Sequence, residues 1–327
     1  MTMKAVFLDC ETFSDNISFT AIEQQVTKLT CFAFTKPDNV IERCKDSDIV
    51  ITNKVVFNAE IIERLSQVKL ICIAATGYNN IDIEAAEKNN ICVTNVSGYA
   101  GKSVSQYVLA QILEYYQQTS HHNANTKHGL WQQCNTFCYH GNAITELAGK
   151  TIAIVGYGSL GRAVAKLADA FEMKVLISER PNTSKIRKGR VRFEQAVNQA
   201  DILSLHCPLT NETTNLINSV VLNKMKPTAM LINTARGLLV NSEDLLIALK
   251  DKKIAFAVLD VLEEEPPRID HPLLSAIQNN IIKNLKVTAH IAWASSESQQ
   301  RLISLLSDNI AAFKKGKRLN RLDEIKL

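Results

Sequence analysis

The chain has 327 residues, of which 46% are hydrophobic and 21% charged, and its formal net charge is +4. This length suits two domains of ordinary size, and the composition is that of a globular protein with sizeable cores. The charge is too mild to favour nucleic acid as a partner; a basic cluster at 314–321 has the simpler explanation of a solvated helix end. No apolar run is long enough to span a bilayer, so we expect no membrane partner.

Eight cysteines are present, and none forms a C-x-x-C pair. The first ten residues lack the basic and apolar layout of a secretory signal, so we expect a cytoplasmic protein without a disulfide framework. Cys134 and Cys138 could ligate a metal, but no matching second pair accompanies them. We therefore expect no metal site.

Short apolar runs alternate with amphipathic stretches in the first third of the chain. The predicted strands are 4–8, 31–34, 49–52, 70–74 and 91–94, and the predicted helices are 21–28, 59–65 and 83–88. This alternation predicts an α/β domain whose parallel sheet carries helices on its faces.

A long helix is predicted over 103–117, and a polar, histidine-rich stretch over 118–149 then breaks the alternation. This stretch contains Trp131, Phe137 and Tyr139, and exposed aromatics on such an arm favour an interface with a second copy over a loose surface insertion. The alternation resumes at Lys150, with strands at 151–155, 174–177, 202–206, 229–233, 254–259 and 285–289 and helices at 160–170, 219–224, 242–249 and 295–315. Six strands make one doubly wound sheet, and the last helix could return to the first domain.

A glycine-rich turn, Gly156-x-Gly158-x-x-Gly161, connects the strand at 151–155 to a helix. Gly156 permits a tight turn, Gly158 lets a pyrophosphate approach the backbone, and Gly161 lets the helix pack close to the strand. The helix N-terminus, with Ser159 and Leu160, offers N–H groups and a positive dipole end to phosphates. In this context the turn predicts a dinucleotide site rather than a merely structural turn.

An acidic residue follows this turn at the expected distance. Glu179 lies eighteen residues after Gly161, at the end of the next strand, where a carboxylate can accept hydrogen bonds from the adenosine ribose. A carboxylate there repels a 2′-phosphate, which favours NAD(H) over NADP(H). Arg180 weakens this preference, because an arginine beside the ribose could hold that phosphate.

Later strand ends carry an arginine, an aspartate and a histidine. Arg236 could bind a carboxylate through its planar guanidinium and polarise the adjacent carbonyl. Asp260 could reach the nicotinamide, and His290 could supply the proton that ketone reduction requires on oxygen. Glu265 is the candidate partner of His290, since a carboxylate on the other ring nitrogen favours the imidazolium. Each residue alone has an ordinary structural explanation, but their shared position at strand ends favours catalysis.

In this order, the motifs resemble the D-isomer-specific 2-hydroxyacid dehydrogenase family over nearly the whole chain. The similarity rests on the glycine turn, Glu179, the segments 206–210, 233–237 and 259–261, Glu265-Pro266 and His290. It implies an α/β fold of two Rossmann-like or flavodoxin-like domains with parallel sheets. The substrate-binding (catalytic) domain would be discontinuous, 1–100 and 295–327, and the NAD-binding domain would span 101–294. Family members are usually homodimers, which the arm at about 118–149 would serve.

The resemblance also implies roles residue by residue. Arg236 would bind the substrate and act in catalysis with His290 as acid–base group and Glu265 as its partner. Backbone N–H groups of Thr76 and Gly77 would meet the substrate carboxylate. Further cofactor contacts would come from Thr234, Ala235 and Asp260 near the nicotinamide and from Cys207, Pro208 and Thr213 near the adenosine.

Within the family, the segments 51–57, 75–82, 131–139 and 290–294 resemble hydroxypyruvate reductases, also called glycerate dehydrogenases. This indicates hydroxypyruvate or D-glycerate as substrate, with glyoxylate, lactate or 3-phosphoglycerate as alternatives, and a dinucleotide-sensing, corepressor-like binding protein as a more distant one. Two positions depart from the family pattern: Ala289 replaces a usual proline, and Gln106-Tyr107 replaces a frequent Glu-His.

Overall fold

A computed structural model describes residues 3–325 and contains two parallel β-sheets. The strands of the first sheet are β1 (Lys4–Phe7), β2 (Lys28–Cys31), β3 (Ile49–Thr52), β4 (Leu70–Ile73) and β5 (Cys92–Thr94). Those of the second are β6 (Thr151–Val155), β7 (Lys174–Ser178), β8 (Ile202–Leu205), β9 (Met230–Asn233), β10 (Phe256–Leu259) and β11 (Leu285–Val287).

The α-helices in the described part of the chain are mostly short. They are α1 (Thr20–Glu23), α2 (Val40–Cys44), α3 (Ala59–Glu63), α4 (Ile83–Lys88), α5 (Gly101–Gln117), α6 (Thr119–Lys127), α7 (Ser159–Ala170), α8 (Phe193–Gln199), α9 (Ser219–Leu222), α10 (Ser242–Lys250), α11 (Pro272–Gln278) and α12 (Ser296–Lys314). Short 3-10 turns lie at Cys10–Thr12, Pro37–Asn39 and Gly237–Leu239. Within residues 3–325, no helix combines the length and apolar character that crossing a membrane would require.

The first compact unit comprises the described residues up to Ala100 and from Trp293 onward. Its strand order is β2-β1-β3-β4-β5, and β3 and β4 are buried along their whole length. Helix α12 packs against α1 and β4, so the core of this unit uses residues from both ends of the sequence. After α12 the chain returns to the sheet edge, where Leu322 N donates a hydrogen bond to Val93 O.

The second unit is continuous, from Gly101 to Ala292. Its strand order is β7-β6-β8-β9-β10-β11, and every pairing is parallel. Chain order reverses at β6, which lies between β7 and β8. In open parallel sheets, ligands bind outside the carboxyl ends of the strands at such a switch point. The predicted α/β class, with two parallel sheets of Rossmann-like or flavodoxin-like topology, is confirmed.

Local predictions fail where strands lie at an edge or helices are short. The helix predicted at 21–28 ends at Glu23, and the strand predicted at 31–34 lies instead at Lys28–Cys31. This strand is on the sheet edge with both end residues exposed, so it lacks the apolar run that marks a buried strand. Sequence patterns also miss α2, α8 and α11, which have five to seven residues each, and α6, which has no buried residue and so no apolar period.

Candidate active site

The register of the second sheet places three of the predicted site residues, Gly156, Thr234 and Asp260, along one edge. Val155, Leu205, Asn233, Leu259 and Val287 form one row of paired residues across β6, β8, β9, β10 and β11. The residue after each strand therefore lies at the carboxyl edge of the sheet. These residues are Gly156, His206, Thr234, Asp260 and Thr288.

The glycine turn after β6 leaves open space beside Gly158 but no room for a Cβ at Gly156 or Gly161. Gly156 has a φ of +97°, and a Cβ there would lie 2.4 Å from Cys207 N. A Cβ on Gly161 would lie 2.1 Å from Gly156 O, so the helix and the turn approach each other closely. A Cβ on Gly158 would meet no atom within 4 Å, so the space over this residue is open. Close backbone around an open space suits a pyrophosphate at the start of α7.

A cavity of about 350 Å³ opens beside this turn. Burial lowers the pKa of His206, which lines the cavity, to about 4, so its imidazole is neutral at neutral pH. Its Nδ1 has no hydrogen-bond partner within the described residues, and neither has the buried hydroxyl of Thr234. Such orphaned polar atoms fit a site that receives polar groups from a bound dinucleotide.

Six predicted cofactor residues line this cavity together: Gly156, Gly158, Glu179, Cys207, Pro208 and Thr213. The other predicted contacts do not line it: Ser159, Leu160 and Gly161 begin α7, and Thr234, Ala235 and Asp260 follow β9 and β10. Burial raises the pKa of the Cys207 thiol to about 11, so this cysteine is a neutral wall residue.

Glu179 is buried but does not stand free in the cavity. The Arg187 side chain donates to both carboxylate oxygens, with Nε 2.7 Å from Oε2 and Nη2 on Oε1. The backbone N–H groups of Arg180 and Arg187 donate to Oε1 and Oε2 at 2.9 and 3.3 Å. Arg190 Nη1 lies 3.7 Å from Oε1. The hydrogen bonds from Arg187 hold the pKa of Glu179 well below its ordinary value.

His290 and Glu265 form the pair predicted from the sequence. His290 Nδ1 lies 2.6 Å from Glu265 Oε2, and the two side chains are 27% and 30% exposed. Glu265 Oε1 accepts a hydrogen bond from Leu262 N at 3.1 Å, which fixes the carboxylate from its other side. The contact at Nδ1 leaves the opposite ring nitrogen, Nε2, for another partner.

Asp260 is buried and holds the backbone on both sides of His290. Its carbonyl accepts a hydrogen bond from His290 N at 2.8 Å, and its carboxylate accepts from the N–H groups of Ile291 and Ala292 at 2.9 and 2.8 Å. His290 has a φ of +54°, a conformation that costs energy in a non-glycine residue. Desolvation raises the pKa of Asp260 despite these hydrogen bonds. The carboxylate thus shapes the turn that presents the imidazole.

Two residues outside the predicted site, Thr288 and Tyr107, extend this network. Thr288 Oγ1 donates to Asp260 Oδ1 at 2.6 Å and lies 2.5 Å from the hydroxyl of Tyr107 on α5. Tyr107 is one of the two departures from the family pattern. In this chain its hydroxyl reaches the support of the His290 turn through Thr288.

Arg236 lies in a turn that Asn233 builds. The Asn233 side chain accepts from Ala235 N at 3.0 Å and donates to Arg236 O at 2.8 Å. Arg236 Nη1 donates to Ala235 O at 2.7 Å, and the residue is half-buried. Gly237 then passes so close to the next loop that a Cβ would lie 1.9 Å from the carbonyl carbon of Leu262. The arginine turn and the loop leading to Glu265 are therefore packed backbone to backbone.

Thr76 and Gly77 lie in the first unit, after β4. Thr76 Oγ1 donates to Val96 O at 2.9 Å, and Asn95 Nδ2 donates to Thr76 O at 2.8 Å, so the loop is anchored. Among residues 3–325, no acceptor is found for the backbone N–H groups of Thr76 and Gly77. These donors are free for a ligand.

Comparison with known proteins decides the family. The profile described as "D-isomer specific 2-hydroxyacid dehydrogenase, NAD binding domain" matches residues 109–292. The chain belongs to the D-isomer-specific 2-hydroxyacid dehydrogenase family. This dehydrogenase is therefore an oxidoreductase that acts on CH–OH donors with a nicotinamide dinucleotide.

Three relatives of this dehydrogenase carry informative names. A glycerate dehydrogenase of Methylorubrum extorquens is 37% identical over 320 residues, which are 98% of this chain and 99% of the relative. A hydroxypyruvate reductase of Blautia hydrogenotrophica is 36% identical over 291 residues, 88% of each chain. A glyoxylate reductase of Thermococcus litoralis is 35% identical over 290 residues, 85% of this chain and 83% of the relative.

A solved structure similar to this dehydrogenase is that of an acyclic imino acid reductase in complex with NADPH and D-Arg. It has a TM-score of 0.83 and 27% identity, and the match covers 98% of this chain and 100% of the other. In the described part of the dehydrogenase, no group of three or more His, Cys, Asp or Glu side chains is placed to hold a metal ion.

Proposed function

We propose that this dehydrogenase reduces hydroxypyruvate to D-glycerate, and catalyses the reverse oxidation, with NAD(H) as cofactor. The observation that carries the proposal is the contact of 2.6 Å between His290 Nδ1 and Glu265 Oε2 at the carboxyl edge of the second sheet. The substrate is inferred from the relatives named hydroxypyruvate reductase and glycerate dehydrogenase. In this proposal the continuous unit binds the dinucleotide and carries Arg236, Glu265 and His290, and the other unit contributes further contacts to the substrate.

Reduction of the ketone requires a hydride on carbon and a proton on oxygen. The bound cofactor supplies the hydride. His290, protonated and held by Glu265 at Nδ1, donates the Nε2 proton to the carbonyl oxygen, and in the reverse direction the neutral imidazole takes the hydroxyl proton. The adjacent carboxylate stabilises the imidazolium that must exist before each reduction. The proton is then restored to His290 from solvent.

The substrate carboxylate is negatively charged, so its site must supply hydrogen-bond donors and positive charge. Arg236 supplies a guanidinium whose geometry matches a carboxylate, and Thr76 and Gly77 supply unpaired N–H groups. Positive charge next to the ketone also polarises the carbonyl as negative charge develops on oxygen. Arg236 thus serves both binding and catalysis in this proposal.

We also propose a homodimer formed through the arm at 118–149. In the single chain described, the side chains of Trp131, Phe137 and Tyr139 on this arm are 51%, 90% and 38% exposed. Large aromatics left in water on one segment favour a covered interface. Size-exclusion chromatography with light scattering would measure the mass, and a monomer would contradict this part of the proposal.

The test is steady-state kinetics with a panel of 2-oxo acids and NADH. We expect the highest kcat/KM for hydroxypyruvate, and a higher value for glyoxylate would favour the activity named for the Thermococcus litoralis relative.

Arg236→Lys should raise KM and lower kcat together, because the point charge of an ammonium replaces a guanidinium that can bind a carboxylate through two hydrogen bonds. His290→Gln should remove most turnover while nucleotide binding persists. Nucleotide binding without turnover on any acid would instead support the dinucleotide-sensing binding protein.

A further inference from the structure

The segment 180–192, which follows Glu179, contains six basic residues and no acidic one. Three of them, Arg180, Arg187 and Arg190, line the dinucleotide cavity together with Glu179. One other charged residue, the exposed Glu212, also lines this cavity. The guanidinium groups therefore outnumber the carboxylates at this site by three to two.

The carboxylate of Glu179 has no vacant position for a ribose hydroxyl. A carboxylate offers about four lone-pair sites. Oε1 accepts from Arg180 N and Arg187 Nη2, and Oε2 accepts from Arg187 N and Arg187 Nε. A ribose hydroxyl must therefore displace Arg187 to bind Glu179. The negative charge that would repel a 2′-phosphate is already compensated by Arg187, with Arg190 also within 4 Å.

The arginines are also within reach of a ligand. Arg187 is 50% exposed, whereas the carboxylate that it covers is 3% exposed. In the described part of the chain, the guanidinium of Arg180 makes no hydrogen bond or ion pair, and its residue is exposed. A phosphate dianion offers the acceptor oxygens that guanidinium groups bind in bidentate fashion.

We infer that the adenosine end of this pocket accepts a 2′-phosphate on Arg180, Arg187 and Arg190, so that the enzyme uses NADP(H) as well as NAD(H). This inference rests on the proposed nicotinamide-dependent function and concerns only the nucleotide. Arg187 partners Glu179 when the 2′-phosphate is absent and binds the phosphate when it is present. The sequence-based preference for NAD(H) assumed a free carboxylate, and the structure gives that carboxylate an arginine partner.

The test compares two fragments that differ in the 2′-phosphate. The full-length protein is titrated by calorimetry with adenosine 2′,5′-bisphosphate and with 5′-AMP, so no turnover is needed. We expect the bisphosphate to bind at least as tightly as AMP. Arg187→Ala should weaken the bisphosphate about tenfold or more relative to AMP, since it removes a charged hydrogen-bond donor and frees Glu179 to repel the phosphate.

The matched control is Lys188→Ala, which removes the same charge from the next residue, a lysine that does not line the cavity. If Arg187→Ala does not fold, Arg180→Ala provides a second test. The Arg180 side chain is exposed and has no partner in the described part of the chain, so its removal should not affect folding. In kinetics, the ratio of kcat/KM for NADPH to that for NADH should fall with the bisphosphate affinity in both arginine variants.

Two results would overturn the inference: a wild-type protein that binds AMP but not the bisphosphate, or arginine variants that change the affinity ratio no more than Lys188→Ala. Turnover of hydroxypyruvate with NADH alone would preserve the proposed function and reject the 2′-phosphate site. If no acid is reduced, the proposed function is wrong, but the comparison of bisphosphate binding with AMP binding still decides whether the 2′-phosphate site exists.

Discussion

The carboxylate of Glu265 is held at both oxygens, by His290 Nδ1 at 2.6 Å on one and by Leu262 N at 3.1 Å on the other. The imidazole therefore has one ring nitrogen committed to a fixed carboxylate, which directs Nε2 away from Glu265. This relationship makes the role of Glu265 testable apart from that of His290.

Glu265→Gln keeps the shape of the side chain and removes its charge. We expect kcat/KM to fall about ten- to hundredfold, because the imidazolium loses its stabilising partner. Both reduction and oxidation should slow, because the contact of 2.6 Å at His290 Nδ1 then involves a neutral amide instead of a carboxylate. Steady-state kinetics in both directions measures this. Glu264→Gln is the control, since the Glu264 carboxylate forms an ion pair with Arg268; an equal loss in both variants would refute the pairing.

Tyr107 reaches Asp260 through Thr288, so substitutions at Thr288 and Tyr107 should have effects of different size. Thr288→Val should lower the free energy of unfolding by about 1–3 kcal/mol, since it leaves a buried carboxylate oxygen and a tyrosine hydroxyl with one partner fewer. It should also lower kcat, because Asp260 shapes the His290 turn. Tyr107→Phe removes only the outer hydroxyl and should have the smaller effect on both quantities. Denaturant unfolding and kinetics measure them, and the reverse order would contradict this network.

Gly237→Ala tests the close packing of the arginine turn against the loop before Glu265. The new Cβ would lie 1.9 Å from the carbonyl carbon of Leu262, so the backbone there must move. We expect stability to fall by about 1–3 kcal/mol. kcat/KM should fall about tenfold or more if the loop carries Glu265 away from His290. AMP affinity should stay unchanged, since Gly237 does not line the nucleotide cavity. Leu238→Ala, at a side chain 42% exposed, is the control, and an active Gly237→Ala would show that the loop tolerates displacement.

The depressed pKa of Glu179 predicts a pH-dependent contribution to stability. Its folded pKa lies well below the ordinary value of 4.5, chiefly through the hydrogen bonds from Arg187. The carboxylate therefore stabilises the fold above pH 4.5, and this contribution declines as the pH falls further. The difference in unfolding free energy between wild type and Glu179→Gln should shrink over that range. In an Arg187→Ala background the same difference should be smaller and flatter with pH; an unchanged difference would exclude Arg187 as the cause.

The sequence identified the site best where the chain leaves a central strand. Apolar runs located β6, β8, β9 and β10, and parallel pairing then required Gly156, Thr234 and Asp260 to share one edge. No local pattern revealed the contact of Tyr107 with Thr288, because 181 residues separate them in the chain. The partner of Glu179 was equally hidden, since the path of an irregular loop decides which of several basic residues faces the carboxylate.

The first unit takes its last helix from the far end of the sequence, and this has a consequence for synthesis. The continuous segment 101–292 leaves the ribosome in full before α12 has emerged. Until then α1 and β4 lack the cover of α12, the helix on which Leu302, Ile303, Leu306 and Ile310 are buried. The nascent chain therefore carries one unit able to fold and one with an open apolar face, the kind of surface that chaperones bind. Residues made after the second unit therefore decide when the first unit can fold.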